Sequence, residues 1–188
     1  GVQSSFEQVH PTCTDLTEIP RAFAEGMIVT GTFKVGAAVT SIGDNAFYET
    51  DLTGIDLSEA TALQTIGDRA FRGNTQLTGT LKVGPAVISI GTYAFEYTDL
   101  TGIDLSEATA LQTIGNWAFA SSAQLTGTLK VGPAVTSIGF AAFEYTDLTG
   151  IDLSDATALQ TIGDHAFLST PLWGKTVYKA DGTSFLLT

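Results

Sequence analysis

Lysine and aspartate alternate at matched positions along this chain: Lys34, Asp56, Lys82, Asp104, Lys130 and Asp152. Each sits between two apolar residues, as in Phe33-Lys34-Val35 and Ile55-Asp56-Leu57. Ammonium and carboxylate groups in strict alternation can pair with each other or hold a polar or zwitterionic ligand. A second set of acids, Glu59, Glu107 and Asp155, follows the aspartates. A third comprises Glu96-Tyr97-Thr98-Asp99 and Glu144-Tyr145-Thr146-Asp147, with Glu49-Thr50-Asp51 as the first copy. Carboxylates suit hard cations, but no loop has the spacing of a calcium hand or of a glycine-aspartate nonapeptide. Solvated charge accounts for these acids. A tyrosine beside acid is also interface material, which marks Tyr97 and Tyr145.

Little else has the makings of catalysis, which needs unlike residues gathered at one place. Cys13 is the only cysteine, and the two histidines are His10 and His165. His10 is near Cys13 in sequence but has no third residue to orient the pair. No phosphate loop, zinc spacing or nucleophile elbow occurs. The sequence therefore predicts no catalytic residue, no cofactor and no metal.

The positioning elements come from a repeat. Ile-Gly recurs at 42, 66, 90, 114, 138 and 162, and Ala-Phe follows each time. The period is 24, the mark of a solenoid. Two unit types alternate. One reads LTGIDLSEATALQTIGDRAF from Leu52, the other LTGTLKVGPAVISIGTYAF from Leu77. Ile55-Asp56-Leu57 and Leu81-Lys82-Val83 alternate in-out-in, which predicts a short strand with one buried face. One unit cannot bury that face alone, and stacking closes the core. The glycine after each Ile takes a positive φ or allows a close approach. The next residue is Asp44, Asp68, Thr92, Asn116, Phe140 or Asp164, and five of these six can cap a helix. That predicts a helical turn at each Ala-Phe, with the Phe rings stacked in an inward column.

These units resemble the BspA-like leucine-rich repeats of microbial surface proteins. That family's unit runs roughly L-x-x-I-x-L-P, then V-x-x-I-G-x-x-A-F. LTGIDLS matches the first half and ALQTIGDRAF the second, with Gly84-Pro85 near the family's proline. The resemblance covers about residues 16–170. The family often carries a Cys after the Phe, and this chain does not. The resemblance implies an α/β repeat solenoid: a curved right-handed leucine-rich-repeat stack, with a parallel concave sheet and short helical turns on the convex side. It also implies binding or adhesion rather than catalysis, and an extracellular or cell-surface setting.

The resulting layout has an N-terminal cap and degenerate repeat over 1–28. Six 24-residue repeats of two alternating types follow over 29–170, then a C-terminal cap over 171–188. Asp181-Gly182 suits the turn of a hairpin there. The chain opens at Gly1 without Met or an apolar leader, which predicts a processed form.

On parallel strands about 4.8 Å apart, each Lys is expected between two Asp. Two readings of this ladder stand: a surface ladder that fixes register, or a ligand-binding strip on a concave face. A Ser/Thr column precedes each Ile (Ser41, Thr65, Ser89, Thr113, Ser137, Thr161), but its neighbouring column is too mixed for an ice-binding face. Arg72, Trp117 and Phe140 are the large departures from repeat regularity. The tail carries Trp173 and Phe185 and is apolar enough to dock on a second chain.

Charge bounds the partners. Eight Lys+Arg stand against twenty Asp+Glu, a net of −12. Nothing resembles a basic patch, so nucleic acid is not expected. No apolar run is long enough to insert in a membrane. The expected partner is a protein or a glycan, with self-association through the terminal repeats and tail as the alternative.

Overall fold

The computed structural model describes residues 16–188. Cys13 and His10 lie outside the described residues. The strands in chain order are β1 (Glu18–Ile19), β2 (Thr30–Lys34), β3 (Ser41–Ile42), β4 (Asp51–Asp56) and β5 (Thr65–Ile66). Next come β6 (Thr80–Lys82), β7 (Ser89–Ile90), β8 (Gly102–Asp104), β9 (Thr113–Ile114) and β10 (Thr126–Lys130). The last are β11 (Ser137–Ile138), β12 (Asp147–Asp152), β13 (Thr161–Ile162), β14 (Thr176–Tyr178) and β15 (Ser184–Leu186). β1 to β13 form a parallel solenoid of about seven turns, one turn per repeat.

The sheet that runs the whole stack is built from the Ser/Thr-Ile pairs. β1, β3, β5, β7, β9, β11 and β13 pair in that order, all parallel. The Lys/Asp strands form no such sheet. They pair only in twos, β2 with β4, β6 with β8 and β10 with β12. This corrects the expectation of an unbroken charged ladder. Lys34 faces Asp56, Lys82 faces Asp104 and Lys130 faces Asp152, and each Lys has one aspartate opposite rather than two. The cause is spacing. Ile42, Ile66, Ile90, Ile114, Ile138 and Ile162 recur at a constant step, so their ladder keeps one register. The charged positions do not. The step from Lys34 to Asp56 is shorter than the repeat, and the step from Asp56 to Lys82 is longer by the same margin. The same short and long steps alternate down to Asp152. The short seams pair and the long seams do not.

The helical turns expected at Ala-Phe are also absent: the described residues contain no helix. Asn45, Arg69, Tyr93, Trp117, Ala141 and His165 have φ between 51° and 61°. Further along each turn, Glu49, Tyr97, Ser121, Tyr145 and Ser169 repeat this at 50–57°. A left-handed residue costs about 1–2 kcal/mol and ends a right-handed helix. The return is hydrogen bonding between layers. Tyr93, Phe95 and Tyr97 donate their N–H groups to the carbonyls of Asn116, Ala118 and Ala120 in the next layer, at 2.9, 2.7 and 3.1 Å. The intervening Ala94 and Glu96 donate within their own layer, to Gly91 and Tyr93. A helix would keep all of these donors to itself and leave the layers unjoined. The expected capping residues work across layers too. Asp44 Oδ1 accepts from Asp68 N, Asp68 Oδ1 from Thr92 N, and Asn116 Oδ1 from Phe140 N, at 2.7–3.0 Å.

The glycine after each Ile is explained by close approach, because none of these glycines has positive φ. A Cβ on Gly115 would lie 2.6 Å from the carbonyl carbon of Gly91.

The Phe column forms as expected. Phe47, Phe71, Phe95, Phe119, Phe143 and Phe167 are fully buried, with successive centroids 5.1–5.4 Å apart and planes within 13°. Beside it runs a buried polar column that the sequence reading missed: Thr50, Asn74, Thr98, Ser122, Thr146 and Thr170. Asn74 Nδ2 donates to the carbonyls of Phe47 (2.6 Å) and Phe71 (2.9 Å). The hydroxyls in this column likewise satisfy Phe carbonyls, so burial leaves no group unpaired.

The tail closes the last layer of its own chain. Leu187 is buried in the core, and Phe185 packs half-buried against it. β14 and β15 pair antiparallel about Asp181-Gly182. The Lys179 ammonium donates to the carbonyls of Thr157 and Leu159 at 3.2 and 3.3 Å, which caps acceptors that would otherwise meet a further layer.

Candidate functional site

The Lys/Asp ladder resolves into three local clusters. Each aspartate is first a turn former: Asp56, Asp104 and Asp152 accept from the amides of Ser58, Ser106 and Ser154 at 2.9–3.0 Å. Hydrogen bonds from these serines hold all three carboxyls below the ordinary aspartate range. The lysines reach past them to the second acid set. Lys34 pairs with Glu59 at 2.8 Å and Lys130 with Asp155 at 2.9 Å, and these bonds raise both lysine pKa values. All four side chains are more than half exposed, so such pairs add little stability. Lys82 forms no ion pair among the described residues. It lines the open seam between β4 and β6, a cavity of about 420 Å³ with Asp56 and Glu107 on its walls. The ladder is thus a set of turns and exposed pairs around two open seams, the second lined by Lys130 and Asp155.

The irregular residues gather on another face, the tandem turns that follow each Ile-Gly. Tyr93 and Trp117 stack at 5.0 Å with planes 8° apart. Phe140 meets Trp117 edge-on at 4.8 Å and 65°. His165 lies 5.2 Å from Phe140, and Trp173 lies 6.0 Å from His165. The five rings make one strip across successive layers, ending on the C-terminal cap. Phe140 and Trp173 are 36% and 41% exposed, and His165 is exposed as well. At the other end the Arg69 guanidinium sits 5.2 Å over the Tyr93 ring.

Arg72 adjoins the strip. It lies 5.6–5.8 Å from the Tyr48, Tyr93 and Tyr97 ring centres and donates to the Tyr48 hydroxyl at 2.9 Å. Its Nε donates to Glu96, a bond that raises the Arg72 pKa. Glu96 is buried, and this pairing is what lets a carboxylate stay there. Tyr48, Arg72 and Glu96 occupy one column in three successive layers.

Of the expected interface residues, the fold brings Trp117 and Trp173 onto one strip. Tyr97 and Tyr145 are 49% and 55% exposed but lie two layers apart, with Ser121 between them. Phe185 faces its own core. The sequence reading missed Tyr93, His165 and Arg69. Their signal was present: they fill the same place in I-G-x-x-A-F as Trp117, so the column was readable from the period.

A sequence model of the BspA-type leucine-rich repeat region matches six copies over residues 30–172. The chain belongs to this family. Among solved structures it is similar to a leucine-rich cell surface protein of Faecalibacterium prausnitzii A2-165, at 22% identity and a TM-score of 0.60. That match covers 92% of this chain and 49% of the other, so the chain spans about half the length of its structural neighbour. A leucine-rich repeat protein of Bacteroides ovatus ATCC 8483 aligns at 20% identity and a TM-score of 0.49, over 83% of this chain and 45% of that one. No curated protein sequence matches the chain. The BspA-type repeats share the fold of their structural neighbour, and no helix among the described residues is long and apolar enough to cross a membrane.

Proposed function

We propose that this repeat array is a non-catalytic recognition or adhesion module of a cell-surface or extracellular protein. Its working surface is the turn-face strip, and its partner is a protein or a glycan. The observation that carries this reading is the aromatic strip itself. The units are otherwise copied almost letter for letter, yet this column changes from Asn45 and Arg69 to the rings of Tyr93, Trp117 and His165, and where it holds Ala141 the neighbouring column supplies Phe140. The core does not require them, because the buried Phe column already fills it. Rings left exposed beside arginine have the composition of binding hot spots. The family and the cell-surface neighbour support the surface setting.

The test is a binding screen against arrayed extracellular proteins and glycans. It compares the wild type, a strip variant (Trp117→Ala with Trp173→Ala) and a ladder variant (Lys34→Ala, Lys82→Ala, Lys130→Ala). Binding lost only in the strip variant supports the reading. Binding lost only in the ladder variant moves the site to the Lys/Asp face. Silence across the array argues for a structural role.

A further inference from the structure

The strip's geometry is more specific than a general binding surface. Successive rings are 4.8–6.0 Å apart, close to the spacing of one layer per ring. Beside the rings runs a column of acceptors and donors. Asp68 and Asn116 each give one oxygen to the next layer's amide. Asp68 and Asn116 are exposed residues, each with a second polar atom beyond that bond, and Asp164 stands exposed beside His165. We propose that Trp117, Phe140, His165 and Trp173 bind a linear, uncharged polysaccharide laid along the solenoid axis, with Tyr93 as the stacked end of the strip. This deepens the recognition reading above and rests on it.

Each alternative occupant meets a physical obstacle. An extended peptide repeats its same-side residues about every 6.7 Å, out of step with the rings. It cannot add as a strand either, because the Tyr93 and Trp117 N–H groups already donate to the next layer. A globular protein needs about 800 Å² on each side, whereas these rings run in single file with Asp68 and Asp164 alongside. Those carboxylates, in a chain of net charge −12, oppose a polyanion. Arg69 and Arg72 cover the Tyr93 ring, which closes that end of the strip to a further cation or a sugar alike.

A neutral sugar chain escapes the spacing and charge obstacles and meets the strip from Trp117 to Trp173, beyond the ring that the arginines cover. Its C–H faces pack on aromatic rings, and its hydroxyls donate to Asp68 and Asp164 or accept from Asn116. An equatorially linked chain advances by about one layer spacing per sugar, so successive sugars meet successive rings. The tilts at Phe140, 65° to Trp117 and 54° to His165, break the face-to-face stack and offer ring faces as well as edges.

The experiment has a built-in reporter, because the chain's two tryptophans, Trp117 and Trp173, both lie on the strip. The full chain is run in affinity gels containing hydroxyethylcellulose, xylan, laminarin or galactomannan, with hyaluronan and heparin as acidic controls. Tryptophan emission is followed in solution with the same probes. The expected result is retardation and an emission change with at least one neutral probe. Trp117→Ala with Trp173→Ala should weaken retardation by about tenfold or more, the loss of roughly one ring contact. The Lys34, Lys82 and Lys130 alanine variant should bind as the wild type does. His165→Ala, exposed and outside the core, serves as a second variant if the tryptophan pair unfolds. No retardation by any neutral probe overturns the proposal. So does retardation that survives in the strip variants, or retardation by the acidic probes alone. Strip-dependent binding of a protein on the array, with no glycan bound, overturns the sugar occupant and leaves the recognition reading standing. Failure of both removes both.

Discussion

Tyr93 and Trp117 lie face to face, with ring centroids 5.0 Å apart and planes 8° apart. They are one repeat apart in sequence, so the contact exists only because the layers stack. Both have positive φ, 58° and 51°, which turns each side chain out of its turn at the same angle. Trp117→Ala should remove the stack on Tyr93 and the edge contact with Phe140. The expected loss is about 1–2 kcal/mol in urea unfolding, and the coupling to Tyr93→Ala in a double-mutant cycle about 0.5–1.5 kcal/mol. Strict additivity of the two variants would mean that the rings stand side by side without interacting.

Asn74 should matter more than any exposed ion pair. Its amide serves two buried Phe carbonyls and accepts from Thr50 Oγ1 at 2.5 Å. Asn74→Ala leaves the Phe71 carbonyl without its side-chain donor and Phe47 with only Thr50 Oγ1 at 3.3 Å, at an expected cost of about 1–3 kcal/mol. Asn74→Ser or Asn74→Thr restores one donor and should recover part of it, since Ser122 and Thr98 do this work in other layers. A midpoint unmoved by the alanine change would show that the buried column contributes nothing.

Two glycines test two different constraints. Gly115→Ala drives a Cβ into the backbone of the layer below, at 2.6 Å from Gly91. Backbone cannot step aside as a side chain can, so a loss of about 4 kcal/mol or more is expected. Gly127→Ala meets nothing within 4 Å but must hold a φ of 81°. Its cost should be only the strain of that region, about 1–2 kcal/mol. Equal losses at the two sites would contradict the close-approach account.

Acid should expose the three turn-forming aspartates. Asp56, Asp104 and Asp152 titrate below the ordinary 3.8 in the folded chain, because Ser58, Ser106 and Ser154 donate to them. The unfolded chain therefore binds more protons in the interval between the two values, and stability rises with pH there. The contribution is complete above 3.8 and is lost as pH falls through the folded values. Replacing all three by Asn keeps the turn acceptor and removes the titration. Below about pH 4 the wild type should lose more of its urea midpoint than the triple variant. Parallel curves would remove these carboxyls from the acid response.

Whatever recurs at a constant step, as Ile42 and Ile66 do, was already legible in the amino-acid order. The stack, the Phe column and the Ser/Thr-Ile register follow from that period, because a solenoid repeats each contact by translation. The unequal steps from Lys34 to Asp56 and from Asp56 to Lys82 were legible too, and they forbid a continuous charged ladder. The backbone of the Ala-Phe turns was not. Locally the segment reads as a capped helix, since Asp, Asn and Thr precede it. Bonds from Phe95 and Tyr97 to the next layer outweigh that preference, and such bonds do not exist until two layers meet. Packing likewise gathered Tyr93, Trp117, Phe140, His165 and Trp173 into one strip and folded Leu187 into its own core. Periodicity fixes which residues share a column. Which way a column faces, and what lies beside it, depends on turn dihedrals that only the packed neighbour selects.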